Sequence, residues 1–344
     1  MRLVCKNREH ARSLFMCIKQ RKDEKMLVSI LLIILGFVLL IKGADFLVDG
    51  ASSLAKRFNI PDIIIGLTIV SIGTSMPELF VSSTSTINGS SDMAIGNIIG
   101  SNLCNLLMIL GVSTIIKPVK FQKETRLIEI PLCLIITIIF AIFCNTSGTI
   151  SRIEAFVLIF LFVLFIIYTI IMGKKGNAFD KESTIVEIQT DNNLLSLKKS
   201  IILIILGIIG LKIGGDLTVD NATNLARMFN ISEKIIGLTI LAIGTSLPEL
   251  VTSVTAAIKG NSDIAIGNII GSNIFNILLI IGVSAMISPL TYNFTYNIQI
   301  GILILATIIL ALFPVIPPKN EMSRFNGLIY LVIYIVYMII LFVK

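Results

Sequence analysis

IGLTIVSIGTSMPEL at residues 65–79 recurs as IGLTILAIGTSLPEL at 236–250, and MAIGNIIGSNLCN at 93–105 recurs as IAIGNIIGSNIFN at 264–276. Residues 65–118 and 236–289 align without a gap at an offset of 171, with about two-thirds of the paired positions identical. Each copy sets a carboxylate, Glu78 or Glu249, directly after a proline inside an apolar stretch. On membrane-insertion scales such a charge costs roughly 2.5–3.5 kcal/mol, so it needs a compensating partner. No Lys or Arg stands near either glutamate in the repeated core, which leaves a bound cation or a proton. The alternative, a protonated glutamate bonded to a neighbouring helix, leaves two copies with identical flanks unexplained.

The surrounding chain is a membrane protein. Of its residues 55% are hydrophobic and only 14% charged, and its mean hydropathy is +0.94, far from the globular average. Apolar runs of about 20 residues recur, each long enough to cross a hydrocarbon core. Ten spans are predicted: 27–55, 61–87, 93–116, 126–145 and 152–172, then 199–226, 232–258, 264–287, 296–316 and 324–343. If the chain from Met26 begins outside, fourteen Lys and Arg fall inside and four (Arg152, Arg227, Lys234, Lys344) outside, as the positive-inside rule prefers. The net charge of +7 is thereby read as a topology signal rather than as a nucleic-acid footprint. The chain end is placed outside and the central loop, 173–198, in the cytoplasm; at this length it is a connector, not a folded domain.

Five spans per half force the two copies into the membrane in opposite directions. The fold class is therefore an all-α polytopic membrane protein of ten transmembrane helices in two inverted five-helix repeats, 27–172 and 199–344. Inverted repeats are a mark of transporters that work by alternating access; an ion channel has no comparable need for them. No GxGD motif or Ser/His pair supports an intramembrane protease, and the only histidine, His10, lies in the leading segment. An enzyme is not expected, nor a cofactor, nor an obligate protein partner. The basic leader, 1–26, votes against the topology with its eight Lys and Arg. It is read either as lying upstream of a true start at Met26 or as an external tail. The five cysteines show no disulfide or zinc spacing.

Around the glutamates the residues are suited to a hard cation. Pro77 and Pro248 lack an N–H and clash with the carbonyl four residues earlier, so each helix should break near Gly73 or Gly244. Thr74, Ser75, Thr245 and Ser246 add hydroxyl and backbone oxygens beside the break. Unwound backbone at membrane depth is tolerated where it lines a cavity. Gly96 and Gly100, like Gly267 and Gly271, give an edge on which another helix can approach closely. Asn97, Ser101 and Asn105 are four apart and share a helical face, as do Asn268, Ser272 and Asn276. Oxygen-only cages of this kind suit Ca²⁺ and equally Na⁺; no Cys, His or Met cluster supports a softer metal. Toward the end of each half's first span, Lys42 with Asp45 and Lys212 with Asp216 are spaced to pair on a helix. An ion vestibule and local neutralisation both fit them.

At these residues the chain resembles the calcium/cation antiporter superfamily, specifically the prokaryotic sodium/calcium exchangers. The paired GTS-[ML]-PE and GNIIGSN motifs are specific, and the likeness covers nearly everything after Met26. The resemblance implies ion sites at mid-membrane between the second, third, seventh and eighth helices. By position it implies that Glu78 and Glu249 bind Ca²⁺ with the backbone oxygens of Thr74 and Thr245. Ser71, Ala242, Ser75, Ser246, Ser101, Ser272, Asn105 and Asn276 would contribute to the sodium and central sites. It further implies exchange of three Na⁺ for one Ca²⁺ at the cell membrane, with the first helix of each half sliding across the core. Some relatives carry Asp where Asn276 stands. Asn at both 105 and 276 sets the site's formal charge at −2. A proton/calcium antiporter on the same fold is the alternative, although its relatives usually place an extra Glu where this chain has neutral residues.

Overall fold

The computed structural model describes residues 2–183, 195–230, 242–315 and 320–343. The first half contains α1 (Arg2–Phe58), a bent span made of α2 (Asp62–Thr74) and α3 (Met76–Ile87), α4 (Ser91–Ile116), α5 (Thr125–Ser147) and α6 (Arg152–Ser183). The second contains α7 (Leu197–Met228), α8 (Ala242–Thr245), α9 (Leu247–Lys259), α10 (Ser262–Ile287), α11 (Phe294–Leu312) and α12 (Arg324–Val343). Among the described residues eight helices, and the bent pair as a ninth span, are long and apolar enough to cross a membrane. The seventh predicted span, 232–258, is described as α8 and α9; residues 231–241 lie outside the described residues. Helix α6 runs to Ser183, past the predicted end of the fifth span at 172. Lys and Glu are good helix formers, and a helix need not stop at the membrane edge. Residues 184–194 of the central loop lie outside the described residues.

Close approaches of backbone show how the halves meet. A Cβ built on Gly36 would lie 2.8 Å from the Gly214 carbonyl oxygen, one on Gly43 2.9 Å from that of Gly207, and one on Gly50 2.8 Å from that of Ser200. Numbers rise along α1 as they fall along α7, so these equivalent helices pack antiparallel. Gly207 and Gly214 are the counterparts of Gly36 and Gly43, so the contacts exchange under a two-fold operation. Four short strands repeat the relation: β1 (Val119–Lys120), β2 (Thr149–Ile150), β3 (Leu290–Thr291) and β4 (Glu321–Met322). β1 pairs antiparallel with β4 (Val119 opposite Met322), and β2 with β3 (Ile150 opposite Leu290). Each ribbon ties one half to the other.

Burial sorts the helices into a centre and a rim. The most apolar window of α10 is 94% buried and that of α4 78%, against 17–39% for α1, α5, α6, α7, α11 and α12. The outer helices turn Leu31, Phe156, Ile205 and Ile339 outward, as lipid contact requires. The motif-bearing helices thus occupy the middle.

Candidate functional site

Both prolines act as the sequence indicates. At Ser75 (φ −85°, ψ 8°) the chain leaves helical geometry, and α3 restarts with Pro77 in its first turn. The axes of α2 and α3 differ by 48°. The second copy breaks at Ser246 (φ −89°, ψ 6°) in the same way. Backbone bonds bridge each break at Ser75 N–H to Ser71 O and Leu79 N–H to Ser75 O, and at Ser246 N–H to Ile243 O and Leu250 N–H to Ser246 O. Each glutamate therefore projects from the first turn of a new helix, where the exposed N–H groups favour negative charge.

The two carboxylates meet across the interface between halves. Glu78 is 0% and Glu249 1% exposed, and each feels hydroxyls of the other half. Ser75 Oγ donates to Glu249 Oε1 at 2.9 Å; Ser246 Oγ lies 3.5 Å from Glu78 Oε1 and 3.3 Å from Ser101 Oγ. Ser101 Oγ donates to Glu78 Oε1 at 3.3 Å. The second oxygen of each carboxylate, Oε2, is buried without a hydrogen-bond partner, as are Asn105 Oδ1, Asn276 Oδ1, Ser272 Oγ and Thr245 Oγ1. Leaving a buried acceptor unmade costs roughly 1–3 kcal/mol, more for charged groups. One oxygen of each carboxylate and four neutral oxygens are thus left free to accept, a set that suits a hard cation.

Asparagines that the motif reading passed over hold this arrangement. Asn102 and Asn273 lie at equivalent positions on α4 and α10 and exchange bonds: Asn102 Nδ2 to Asn273 O at 3.2 Å, Asn273 Nδ2 to Asn102 O at 3.4 Å. Their side-chain oxygens accept from Asn105 Nδ2 at 3.2 Å and Asn276 Nδ2 at 2.9 Å. With its donor end so occupied, each outer asparagine keeps its oxygen for the site. Asn105 lies in a π-helical turn, Cys104–Ile109, and Asn276 opens another, Asn276–Ile281. Such turns re-aim side chains and cluster at functional sites. The N in both copies of GSN was the available signal for Asn102 and Asn273; the π turns left none.

The other predicted residues divide. Thr74 Oγ1 donates to Asn268 Oδ1 at 3.0 Å, and Ser71 Oγ donates to Leu67 O at 2.8 Å within its own helix, so both hydroxyl protons are spent locally. Asn97 and Asn268, read from the sequence as part of an oxygen stripe, instead direct their amides to the Glu78 and Glu249 carbonyl oxygens and to Ser82 and Ser253. Ala242 opens α8, and its side chain lies outside the described residues. A Cβ on Gly267 would lie 2.6 Å from Ile63 O and one on Gly271 2.8 Å from Leu67 Cα, the close approach the glycine spacing predicts. Gly100 has open space instead, and Gly96 faces Tyr296 Oη. The counterparts of Gly66 and Leu67, Gly237 and Leu238, lie outside the described residues.

Both lysine–aspartate pairs form, Lys42 to Asp45 at 3.9 Å and Lys212 to Asp216 at 2.8 Å. A lysine not anticipated, Lys259 at the end of α9, reaches Asp45 at 3.0 Å and Asp49 at 2.8 Å on α1.

The sodium/calcium exchanger protein family profile matches residues 28–171 and 199–343, nearly all of both halves. The chain belongs to the sodium/calcium exchanger family. Its described membrane helices fall into two inverted halves, one on each side of the central loop. Among its relatives, the sodium/calcium exchanger MaX1 of Methanosarcina acetivorans is 31% identical over 351 residues, covering 92% of this chain and 99% of that one. The inner membrane protein YrbG of Escherichia coli is 37% identical over 292 residues, covering 83% and 89%. A solved structure of the sodium-calcium exchanger NCX_Mj, soaked with 2.5 mM Na⁺ and 0.1 mM Ca²⁺, matches with a TM-score of 0.77 at 32% identity, covering 90% of this chain and 97% of that one.

Proposed function

We propose that this protein is a secondary active antiporter that exchanges Na⁺ for Ca²⁺ across the cell membrane by alternating access. The observation that carries the reading is the set of six unpartnered buried oxygens around Glu78 and Glu249, contributed by both halves. Two carboxylates give a charge of −2, which one Ca²⁺ neutralises. Glu78 and Glu249 are its charged ligands, with backbone oxygens of Thr74 and Thr245 beside them at the breaks. Ser71, Ser75, Ser101, Asn105, Ala242, Ser246, Ser272 and Asn276 frame the central and sodium positions. Asn102 and Asn273 orient Asn105 and Asn276. The proton-coupled version is disfavoured because α4 and α10 present serine and asparagine here, with no further carboxylate.

Three Na⁺ against the same −2 leave a charge of +1, so exchange of three Na⁺ for one Ca²⁺ is electrogenic. A membrane potential then contributes about 2.3 kcal/mol per charge per 100 mV. Helices α1 and α7, locked to each other through their glycines, form the unit that slides over the core and opens the site to alternate sides. The Met26 end of the first span and the C-terminus lie outside, and the central loop lies in the cytoplasm. In proteoliposomes loaded with Na⁺, ⁴⁵Ca²⁺ uptake should follow the sodium gradient at fixed pH and respond to an imposed potential. Uptake indifferent to sodium but driven by a pH gradient would overturn the reading.

A further inference from the structure

A second buried carboxylate stands apart from the central pair. Glu129 on α5 is fully buried, and Tyr168 Oη on α6 donates to its Oε1 at 3.0 Å. The neighbouring buried hydroxyl of Thr125 faces the carboxylate, and neither it nor Oε2 makes a well-formed hydrogen bond. Thr125 and Glu129 bound a π-helical turn, Thr125–Glu129, whose i to i+5 bonds bring both ends onto one face. The charged groups nearby are on the same helix: Glu124, of like sign, and Arg126, with which no ion pair forms among the described residues. Helices α10 and α11, also packed on α5, bring Asp263, bonded to Gln122, and Tyr296, bonded to the Asp92 carbonyl. Among the described residues an ionised Glu129 therefore has no ion-pair partner.

The inverted repeat shows that the fold does not require this charge. Past the π turn the buried positions of α5 and α11 match at an offset of 170, Ile130, Cys133, Thr137 and Phe140 with Ile300, Leu303, Thr307 and Leu310, so the counterpart of Glu129 is Gln299, whose Oε1 is likewise buried without a partner. At the offset of 172 that relates Arg152 to Arg324, the counterpart of Tyr168 is Ile340. One half sets a neutral amide where the other buries a carboxylate, so the charge answers to something other than helix packing. Nor is it remote from the centre. Phe162, six residues before Tyr168 on α6, meets Phe275 edge to face at 5.7 Å, and Phe275 adjoins Asn276.

We propose that Glu129, Tyr168 and Thr125 form an accessory site for one monovalent cation, a proton or Na⁺, whose occupancy sets how α5 holds α6 and, through Phe162, how Asn276 is presented to the central site. Bound cation neutralises Glu129 and supplies the partner that Oε2 and Thr125 Oγ1 lack. Tyr168 keeps the other carboxylate oxygen in place in both states.

The test uses the full chain in liposomes, with Glu129→Gln as the isosteric neutral variant, which copies Gln299, and Glu129→Ile as an apolar one. Infrared difference spectra are recorded with pH varied at fixed Na⁺ and with Na⁺ varied at fixed pH, alongside ⁴⁵Ca²⁺ uptake and equilibrium Ca²⁺ binding. A carboxyl signal that Glu129→Gln removes should respond to one of the two cations. The uptake dependence on that cation should flatten in both variants while Ca²⁺ binding is retained. Response to pH alone identifies the proton; response to Na⁺ at fixed pH identifies sodium. A Glu129 signal unmoved by either, or variant profiles superimposable on the parent, would overturn the proposal. Loss of Ca²⁺ binding in both variants would also overturn it, by making Glu129 a structural support of the central site.

Discussion

Near the two-fold axis the halves make the same bonds twice, whereas at the rim they do not. Asn102 and Asn273 exchange equivalent hydrogen bonds, and Ser75 and Ser246 each reach the other half's glutamate. At the end of α9, however, Lys259 ties α1 to the core through Asp45 and Asp49, while its counterpart at the end of α3 is Asn88. Under alternating access this difference has a physical meaning. Exchanging the roles of two inverted halves converts one access state into the other, so identical halves would give states of equal energy. Residues that match between halves can hold the ion in both states. Only those that differ, such as Lys259 and Glu129, can bias one state over the other.

The comparison is broken most severely at the glutamates. Glu78→Gln and Glu249→Gln should each reduce ⁴⁵Ca²⁺ uptake to background, because one remaining carboxylate cannot neutralise a divalent ion; survival of either variant would end the equivalence of the halves. Next come the orienting asparagines. Asn102→Ala and Asn273→Ala should each weaken Ca²⁺ binding about 10–100-fold, the usual cost of losing a group that orients a ligand, and calorimetry should find the two losses similar. Smaller again is the packing contrast between the repeated glycines. Gly267→Ala pushes a methyl into the Ile63 carbonyl and should cost about 1–3 kcal/mol, whereas Gly100→Ala enters open space; thermal unfolding in detergent separates them. Smallest is Lys259→Asn, which copies Asn88. A partly exposed ion pair contributes roughly 0.2–1 kcal/mol. Spin labels on α1 and α9 should therefore show a modest shift in distance distribution, reproduced in the parent by high salt.

Much of the centre was legible because its physics is local. Pro77 and Pro248 dictate where helices stop, and a carboxylate following them inside apolar sequence demands a cation. The odd number of spans per half dictated inversion, which the antiparallel packing of α1 on α7 displays directly. What escaped was set by tertiary geometry. Nothing in GNIIGSN distinguishes an asparagine that faces the site from one that fixes its neighbour, so Asn97 and Asn268 were credited to the oxygen stripe and Asn102 and Asn273 overlooked. The π turns at Asn105 and Asn276 have no local sequence signature. Lys259 lies over 200 residues from Asp45 and Asp49, beyond any helical spacing rule. Glu129 entered the sequence as one polar residue near a span boundary, and only burial marks it.

The central claim is that the two halves build one Ca²⁺ site between them. Equilibrium binding of ⁴⁵Ca²⁺ to the purified full chain in sodium-free buffer, with Glu78→Gln and Glu249→Gln measured alongside, tests it most directly. One Ca²⁺ should bind per chain, be lost in either variant and be displaced by added Na⁺. Two Ca²⁺ per chain, with each variant keeping one, would mean that each half carries a site of its own and would contradict it.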